Sequence, residues 1–326
     1  MSAGNAPGVL RVNLEVLIQL APQQLVNGLT IGSVYALIAL GYTMVYGVLQ
    51  LINFAHGDLF MLGAMVAVFL LSATAFTSPL PLGLVLVALV IVFLGAMSFS
   101  AALGVAIERV AYKPLRNAGR LAPLISALGV SVFLENGTMN TVGPRPRFFP
   151  DLFPTNMVSV LGLSFSNKQL IILIVAALLM VWLHYLINHT LFGLAVRATA
   201  EDKDAASLMG VDIDRVIAMV FVIGPALGAA AGVLVAMLYG VVVWNMGFLA
   251  GIKAFTAAVL GGIGNIPGAM LGGLALGLVE TFGAGYLPIL THGVIGPEYK
   301  DIFAFAILIV ILVFRPMGIL GERVAR

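Results

Sequence analysis

The sequence predicts an all-α integral membrane protein with about eight or nine transmembrane helices, some of them interrupted. Hydrophobic residues make up 61% of the 326 residues, and charged residues only 9%. The mean hydropathy of +1.11 is typical of chains that lie in a bilayer. Several apolar runs reach the roughly 20 residues that a helix needs to cross a hydrocarbon core. One transmembrane domain over residues 1–326 is therefore the simplest organisation.

The composition and the missing motifs exclude several functions. The net charge of +2 gives no support for nucleic-acid binding. The chain has no cysteine, so it has neither disulfides nor thiolate metal sites. The ATP-binding pattern G-x-x-x-x-G-K-[ST], the zinc-hydrolase pattern H-E-x-x-H and the nucleophile elbow do not occur. We expect no catalytic residue, no metal site and no cofactor bound by this chain.

The individual spans are apolar runs separated by polar or proline-containing segments. In chain order they cover about 20–48, the stretch after Asp58 up to about 77, 83–107, 121–137, 169–188, 215–242, the two arms of 251–287, and 300–315. The first span is either one tilted helix or a helix with a break. The two arms of 251–287 are separated by a cluster of glycine, asparagine and proline.

The distribution of charge orients these spans. The short loop 108–120 carries four basic residues and one acidic residue, which are Arg109, Lys113, Arg116, Arg120 and Glu108. By the positive-inside rule this loop is cytoplasmic. Segment 138–168 contains four prolines and cannot be a spanning helix, so the number of crossings places it outside. The span at 169–188 then returns the chain to the cytoplasm.

A charged island at 195–215 follows that span. It contains Glu201, Asp202, Lys203, Asp204, Asp212, Asp214 and Arg215. Because Asp or Lys costs roughly 2.5–3.5 kcal/mol at the centre of a spanning helix, the island lies outside the hydrocarbon. Residues 205–209 favour a helix, and Gly210 stands where that helix would stop. The island is either a solvated connection or a surface for a soluble partner.

Two interruptions near the ends of the chain, at 53–57 and 261–268, are typical of transporters built from an inverted repeat. At the first, Asn53 or Asp58 caps the next helix with His56 bonded locally, or these side chains line a transport route. The two roles are compatible. At the second, the glycines allow backbone angles or approaches that a side chain would forbid, and the cluster is denser than helix packing requires.

Few ionisable groups fall inside the predicted spans. The candidates are Lys253, Glu280, Glu135 and His184. A carrier driven by protons or sodium would need several carboxylates facing the interior. We expect Glu280 to make an interhelical hydrogen bond or to lie near the interface. We expect Lys253 to extend its ammonium group to the outer surface.

Four stretches of the chain resemble the permease subunits of branched-chain amino-acid ABC transporters. They read INFAHGDLFMLGA, AEDKDAASLMGVDIDRVIAMVFVIG, KAFTAAVLGGIGNIPGAMLGG and FRPMGILG. The resemblance runs from about Asn27 to Gly321. Within it, Asp204–Gly210 is similar to the coupling-loop signature [E/D]-A-A-x-x-x-G. With the motif NFAHG in its N-terminal part, the chain resembles the class of permease subunit that carries this motif there.

The resemblance implies a fold like that of type II ABC importers and a protein that is not an enzyme. It also implies a second homologous permease subunit, two cytoplasmic ATPase subunits that bind the ATP, and a periplasmic or surface substrate-binding protein. The expected location is the cytoplasmic or inner membrane of a bacterium or archaeon, crossed several times. The expected cargo is a branched-chain or other hydrophobic amino acid.

The resemblance also suggests roles for individual residues. Residues 189–215 would be a cytoplasmic coupling loop, in which the ATPase subunits contact Glu201, Asp204, Ala205, Ala206 and Gly210. The substrate pathway would pass Asn53, His56, Gly57, Gly262, Gly264 and Asn265. Three alternatives stay open: an ABC permease for urea or amides, an ion-coupled secondary amino-acid carrier, and a structural membrane subunit without a pathway.

Overall fold

The computed structural model describes residues 6–73, 81–116, 118–119, 121–160, 163–315 and 317–321. Its helices are α1 (Ala6–Leu49), α2 (His56–Ala73), α3 (Leu82–Ile107), α4 (Leu121–Val142), α5 (Asn167–His189), α6 (Leu191–Glu201), α7 (Lys203–Leu208), α8 (Ile213–Tyr239), α9 (Met246–Gly261), α10 (Ile266–Leu290) and α11 (Lys300–Phe314). Four short strands are β1 (Arg147–Phe148), β2 (Met157–Val160), β3 (Leu163–Ser166) and β4 (Val241–Val242).

Seven helices of the described chain are long and apolar enough to cross a membrane: α1, α2, α3 with its continuation to Leu115, α4, α5, α8 and α10. The prediction of a helical membrane protein is therefore confirmed, and seven of the eight or nine predicted segments meet this criterion in the described chain. The remaining two apolar segments, α9 with 16 residues and α11 with 15, are shorter than the roughly 20 residues of a full crossing.

Helix α1 lies at the centre of the bundle and packs against α8, α9 and α10. It is continuous through the whole predicted first span, so its glycines serve packing rather than a break. A Cβ atom on Gly277 of α10 would fall on the backbone of Gly32 of α1, and one on Gly28 would lie 2.9 Å from Leu278 Cα. Small residues let the two antiparallel helices approach closely.

The helix contacts define the two ends of the bundle. Gly41 of α1 lies against Gly224 of α8, so the C-terminus of α1 and the N-terminus of α8 share one end. The N-terminus of α10 lies at the same end, because α10 is antiparallel to α1. We call it the basic end, since it carries Lys113 and Arg116, and we call the other the distal end.

The segment predicted as a basic loop, 108–120, is mostly helical in its described part. A π-helical turn, Glu108–Tyr112, and a 3₁₀ turn, Lys113–Leu115, continue α3, and Tyr112 is buried. Arg116 forms ion pairs with Glu108 and, at 2.6 Å, with Asp214 at the start of α8. Arg120 lies outside the described residues. The polar segment thus fastens α3 to α8 at the basic end.

The proline-rich segment before α5 lies at the distal end and contains no spanning helix in its described part. Strand β1 pairs with β4, which follows the distal end of α8, and β2 pairs with β3 in a hairpin. Ser166 then starts α5, because its hydroxyl accepts a hydrogen bond from the Gln169 backbone and its own backbone N–H donates to the Gln169 side-chain oxygen. Helix α4 extends five residues beyond its predicted end at 137.

Candidate functional site

The first interruption lies between α1 and α2. Asn53 is buried, and its Oδ1 atom accepts a hydrogen bond of 2.9 Å from the Tyr112 hydroxyl. The side chain therefore bonds to the end of α3 and does not cap α2, so the local-cap interpretation of Asn53 is wrong. His56 and Asp58, in the first turn of α2, are completely buried.

His56 fills the space between α1 and α8. A Cβ atom on Gly41 would collide with its imidazole, and one on Gly228 would lie 3.5 Å from it. The ring of Tyr42 packs edge-on with a centroid distance of 4.7 Å. The imidazole faces the backbone of Ile38, yet neither ring nitrogen forms a hydrogen bond of normal geometry with the described residues. The local hydrogen bond expected for His56 is therefore absent from the described structure.

The N-terminus of α2 meets the N-terminus of α9 in the middle of the bundle. A Cβ atom on Gly57 would strike the carbonyl oxygen of Gly247 and lie 2.9 Å from Gly251 Cα. A Cβ on Gly247 would lie 2.8 Å from Asp58 Oδ1. The carboxylate of Asp58 therefore lies beside the N-termini of both helices.

Asp58 has no ion-pair partner among the described residues. The Ser131 hydroxyl of α4 faces its carboxylate, but neither oxygen forms a hydrogen bond of normal geometry within the described structure. The sequence is compatible with Asp58 as a helix cap or as part of a transport route. The burial of Asp58 beside two helix N-termini makes it part of the junction between the two interrupted segments.

The second predicted interruption lies at the basic end, away from this junction. Gly264 has a φ of 97°, which residues other than glycine rarely adopt. Asn265 caps α10, because its side-chain oxygen accepts a hydrogen bond of 2.8 Å from the Gly268 backbone. Its amide also donates to Leu320 O at 3.0 Å. Gly262 packs on Gly321. The structure thus does not bring Gly262, Gly264 and Asn265 together with Asn53, His56 and Gly57.

The segment that does meet the first interruption is the connection 240–245 between α8 and α9. Sequence reasoning missed it, because Val241, Val242, Val243 and Trp244 read as a continuation of an apolar span. The available signals were Gly240, which has a left-handed backbone at the end of α8, and Asn245 before α9.

A buried charged cluster connects α1, α9, α10 and α11. Lys253 Nζ lies 2.8 Å from Glu280 Oε1 and 2.5 Å from Asp301 Oδ1, and the Tyr35 hydroxyl donates to Glu280 Oε2 at 2.9 Å. The interhelical hydrogen bond predicted for Glu280 is confirmed. The outward extension predicted for Lys253 is wrong, because this residue is only 6% exposed and its ammonium group is paired inside the bundle.

Two neighbouring cavities surround this cluster. The larger, of about 720 Å³, opens toward the distal end, and its wall includes the polar side chains of Gln24, Asn27, Gln169 and Glu280; we call it the polar cavity. The smaller, of about 330 Å³, is mostly aliphatic, and Lys253 and Asp301 lie in its wall; we call it the aliphatic cavity. Lys300 and Tyr239 border both cavities.

The charged island forms two helices, α6 and α7, at the basic end. Asp202 starts α7 by accepting hydrogen bonds from the backbones of Asp204 and Ala205, and Gly210 ends it with a φ of 88°. The short helix predicted at 205–209 is confirmed, with α7 beginning two residues earlier. Helix α6 was not predicted, although Thr190 is a typical N-terminal cap for it.

The island residues predicted to face a partner differ in exposure. Glu201, Asp204, Ala205 and Gly210 are exposed, whereas Ala206 is buried at 4%. Leu208 and Met209 are 88% and 86% exposed, and sequence reasoning did not single them out. Two large apolar side chains projecting from a polar surface are a common mark of a protein interface.

Together these features define a polytopic transport protein: interrupted helices meet inside the bundle, charges line internal cavities, and a helical surface projects at one end. The family model described as "Branched-chain amino acid transport system / permease component" matches residues 24–312. The chain therefore belongs to that family of transport permeases and is not an enzyme.

Curated relatives agree with this assignment. The chain is 49% identical over 304 residues to the "High-affinity branched-chain amino acid transport system permease protein BraD" of Pseudomonas aeruginosa. It is 48% identical over 304 residues to LivH of Escherichia coli, which has the same description. Both alignments cover 92% of this chain and 95% of the relative. A "Probable branched-chain amino acid transport permease protein LivH" of Methanocaldococcus jannaschii is 29% identical over 303 residues, 87% of this chain and 88% of that protein. No solved structure gives a significant match.

Proposed function

We propose that this chain is the permease subunit of an ABC importer that carries branched-chain amino acids across the bacterial cytoplasmic membrane. The observation that carries the proposal is the 48–49% identity over 92% of the chain to transport-system permeases named for that cargo. The internal cavities and the projecting helices support a transport role independently of the names.

In this proposal the basic end is cytoplasmic and the distal end faces the periplasm. Lys113 and Arg116 at the basic end agree with the positive-inside rule. The polar cavity then opens toward the side on which a substrate-binding protein would deliver cargo. Helices α6 and α7 project into the cytoplasm, where they are accessible to an ATPase subunit.

The coupling contact consists of the exposed surface of α7 and the end of α6. Leu208 and Met209 would insert into a pocket of the ATPase, and the carboxylates of Glu201 and Asp204 would orient it. Ala205 leaves room for the partner surface. Ala206 contributes indirectly, because it is buried behind this surface. Its carbonyl oxygen accepts a hydrogen bond of 3.0 Å from Val211 N, which stabilises the end of α7.

The fold then follows an inverted repeat like that of type II importers. Helix α1 runs toward the basic end and is followed by α2, which starts inside the bundle and returns to the distal end. Helix α8 runs toward the distal end and is followed by α9, which starts inside the bundle and returns to the basic end. With α9 and α11 included, nine segments of the described chain enter the membrane.

Transport would proceed from the polar cavity to the aliphatic cavity and then past the junction of α2 and α9. Asn53, His56 and Gly57 lie at that junction. Gly262, Gly264 and Asn265 lie between α9 and α10 at the cytoplasmic end, beyond the junction. ATP-driven movement of α7 would reach this region through α8, which starts four residues after Met209 and whose Gly228 lies against His56.

The partners of this proposal are a second homologous permease subunit, two cytoplasmic ATPase subunits and a periplasmic substrate-binding protein. The main alternative is an ion-coupled carrier that works alone. The buried carboxylate of Asp58 is the observation that favours it, since isolated buried acids often mark ion routes in membrane proteins.

Reconstitution separates the two functions. The purified chain alone and the complete assembly are placed in liposomes, and uptake of radiolabelled leucine is measured with ATP, with a pH gradient and with a sodium gradient. We expect uptake only by the complete assembly supplied with ATP and binding protein. Gradient-driven uptake by the chain alone that disappears in Asp58→Asn would establish the carrier instead.

A further inference from the structure

The aliphatic cavity combines an apolar wall with a buried ion pair. Most of its wall is apolar and includes Ile31, Ile38, Phe60, Val235 and Leu249, whereas the ion pair of Lys253 and Asp301 lies in the same wall. Its volume of about 330 Å³ falls at the lower end of the range of small-molecule sites. Lys300 lies in this wall as well, so the chamber is apolar but carries side chains of both charges, which matches a small molecule with an apolar body and both charges.

The two carboxylates that neutralise Lys253 differ in their surroundings. Both oxygens of Glu280 are occupied, one by Lys253 and the other by the Tyr35 hydroxyl, and this residue is 2% exposed. The side chain of Asp301 is 33% exposed, and Lys253 is its one ion-pair partner among the described residues. Glu280 is therefore the fixed partner of Lys253, and Asp301 is the partner that can be exchanged.

We propose that the aliphatic cavity is an amino-acid site, in which the ligand carboxylate replaces Asp301 on Lys253 and the released Asp301 carboxylate binds the ligand ammonium group. The aliphatic wall would receive the side chain. This inference rests on the proposed function and adds a binding site within the permease itself.

The balance of charge explains why such a site selects a zwitterion. When Lys253 and Asp301 separate, Lys253 keeps Glu280 but loses one of its two carboxylates, and Asp301 loses its ion-pair partner among the described residues. Losing a partner inside the bundle is destabilising, so a ligand that supplies a new counter-charge to each group favours the separation. A zwitterion supplies both in one molecule. A monocarboxylate leaves Asp301 unpaired, and a monoamine has no anion to replace Asp301 on Lys253. Both should therefore bind much more weakly than the amino acid with the same carbon skeleton.

The absence of cysteine from the chain allows a direct test. Ala250 lies in the wall of the aliphatic cavity, and Leu249, also in that wall, is 48% exposed. Cysteine is placed at either position in the assembled transporter without its binding protein, and its labelling by a small water-soluble thiol reagent is timed. Omitting the binding protein ensures that any selectivity belongs to the membrane subunits. Val110→Cys, at the basic end and 78% exposed, is the matched control for reagent reactivity.

We expect leucine to slow labelling in the cavity and to leave Val110→Cys unaffected. Isopentylamine and 4-methylpentanoate, which keep the apolar body and one charge each, should need at least about tenfold higher concentrations for the same protection. Asp301→Asn and Lys253→Met should each abolish the preference for the zwitterion. Asp301→Glu, which keeps the charge, should retain it.

Three results would overturn the site. They are no labelling at either cavity position, equal protection by leucine and its two singly charged analogues, and an unchanged preference in Asp301→Asn. Because Asp301 is partly exposed, that variant tests the inference even if Lys253→Met fails to fold. Leucine uptake by the complete cysteine-containing transporter is measured in parallel. If leucine is taken up but does not protect the cavity cysteines from labelling, the proposed site is wrong and the proposed function stands. If leucine is not taken up with every partner present, the proposed function is wrong.

Discussion

Because Lys253 and Glu280 form an ion pair, Lys253→Met and Glu280→Gln should reduce stability by different amounts. Combining them should also restore part of the stability that Lys253→Met alone loses. In Lys253→Met the carboxylate of Glu280 remains 2% exposed with Tyr35 as its hydrogen-bond donor but no cation. Removing one partner of a buried pair costs about 3–5 kcal/mol. In Glu280→Gln the ammonium group of Lys253 keeps Asp301 at 2.5 Å, so the cost falls to that of a charged hydrogen bond, about 1.5–3 kcal/mol.

The double substitution Lys253→Met/Glu280→Gln should be more stable than Lys253→Met alone, because it removes both buried charges and leaves Asp301 partly hydrated. The assay is the free energy of unfolding of the purified permease in mixed detergent micelles. Lys168→Met is the matched control, since its partner Asp151 is 69% exposed and such a pair is worth about 0–1 kcal/mol. Equal losses in the two single variants, or additive losses in the double variant, would refute this account of the cluster.

Three further substitutions test other parts of the structure. Leu208→Asp with Met209→Asp should leave the permease folded and weaken ATPase binding at least tenfold in a pull-down titration, because the anchoring apolar groups are removed. Gly57→Ala should abolish uptake at a cost of about 1–3 kcal/mol in stability, because its Cβ strikes the rigid carbonyl of Gly247. Asn265→Cys should be labelled by a water-soluble thiol reagent at a rate that depends on the trapped nucleotide state.

Each of these predictions has a control or a contradicting result. Val110→Asp replaces a side chain that is also highly exposed, at 78%, but lies outside α7, and it should leave the ATPase affinity unchanged. Gly47→Ala adds the same methyl group in open space and should preserve uptake. Labelling of Asn265→Cys that ignores ATP and binding protein would reduce the turn between α9 and α10 to a structural connection.

The limits of most spans could be predicted because hydrophobicity is a local property of the chain. The span predicted at 169–188 is α5, Asn167–His189, and the interruption predicted after residue 48 follows Leu49. The start of α10 was also predictable, since Pro267 stands in its first turn behind the capping Asn265. These signals need no knowledge of the tertiary structure.

The partners of buried polar groups could not be predicted in the same way. An isolated lysine in an apolar run most simply extends toward water, and only the packing of α10 and α11 shows that Lys253 has two carboxylates. The junction of α2 and α9 was missed because the connection at 240–245 is itself apolar. The sequence around Leu208 and Met209 is equally compatible with burial of their side chains. Only the structure shows that they are exposed whereas the neighbouring Ala206 is buried.

In the proposed function, this permease carries branched-chain amino acids when its partners hydrolyse ATP. The most direct measurement is the initial rate of ATP-dependent uptake of leucine, isoleucine, valine, urea and glutamine into liposomes that contain the complete assembly. The account predicts rapid uptake of the three branched-chain amino acids, slower uptake of glutamine and none of urea. Urea uptake that exceeds leucine uptake, or leucine uptake that continues without ATP, would contradict it.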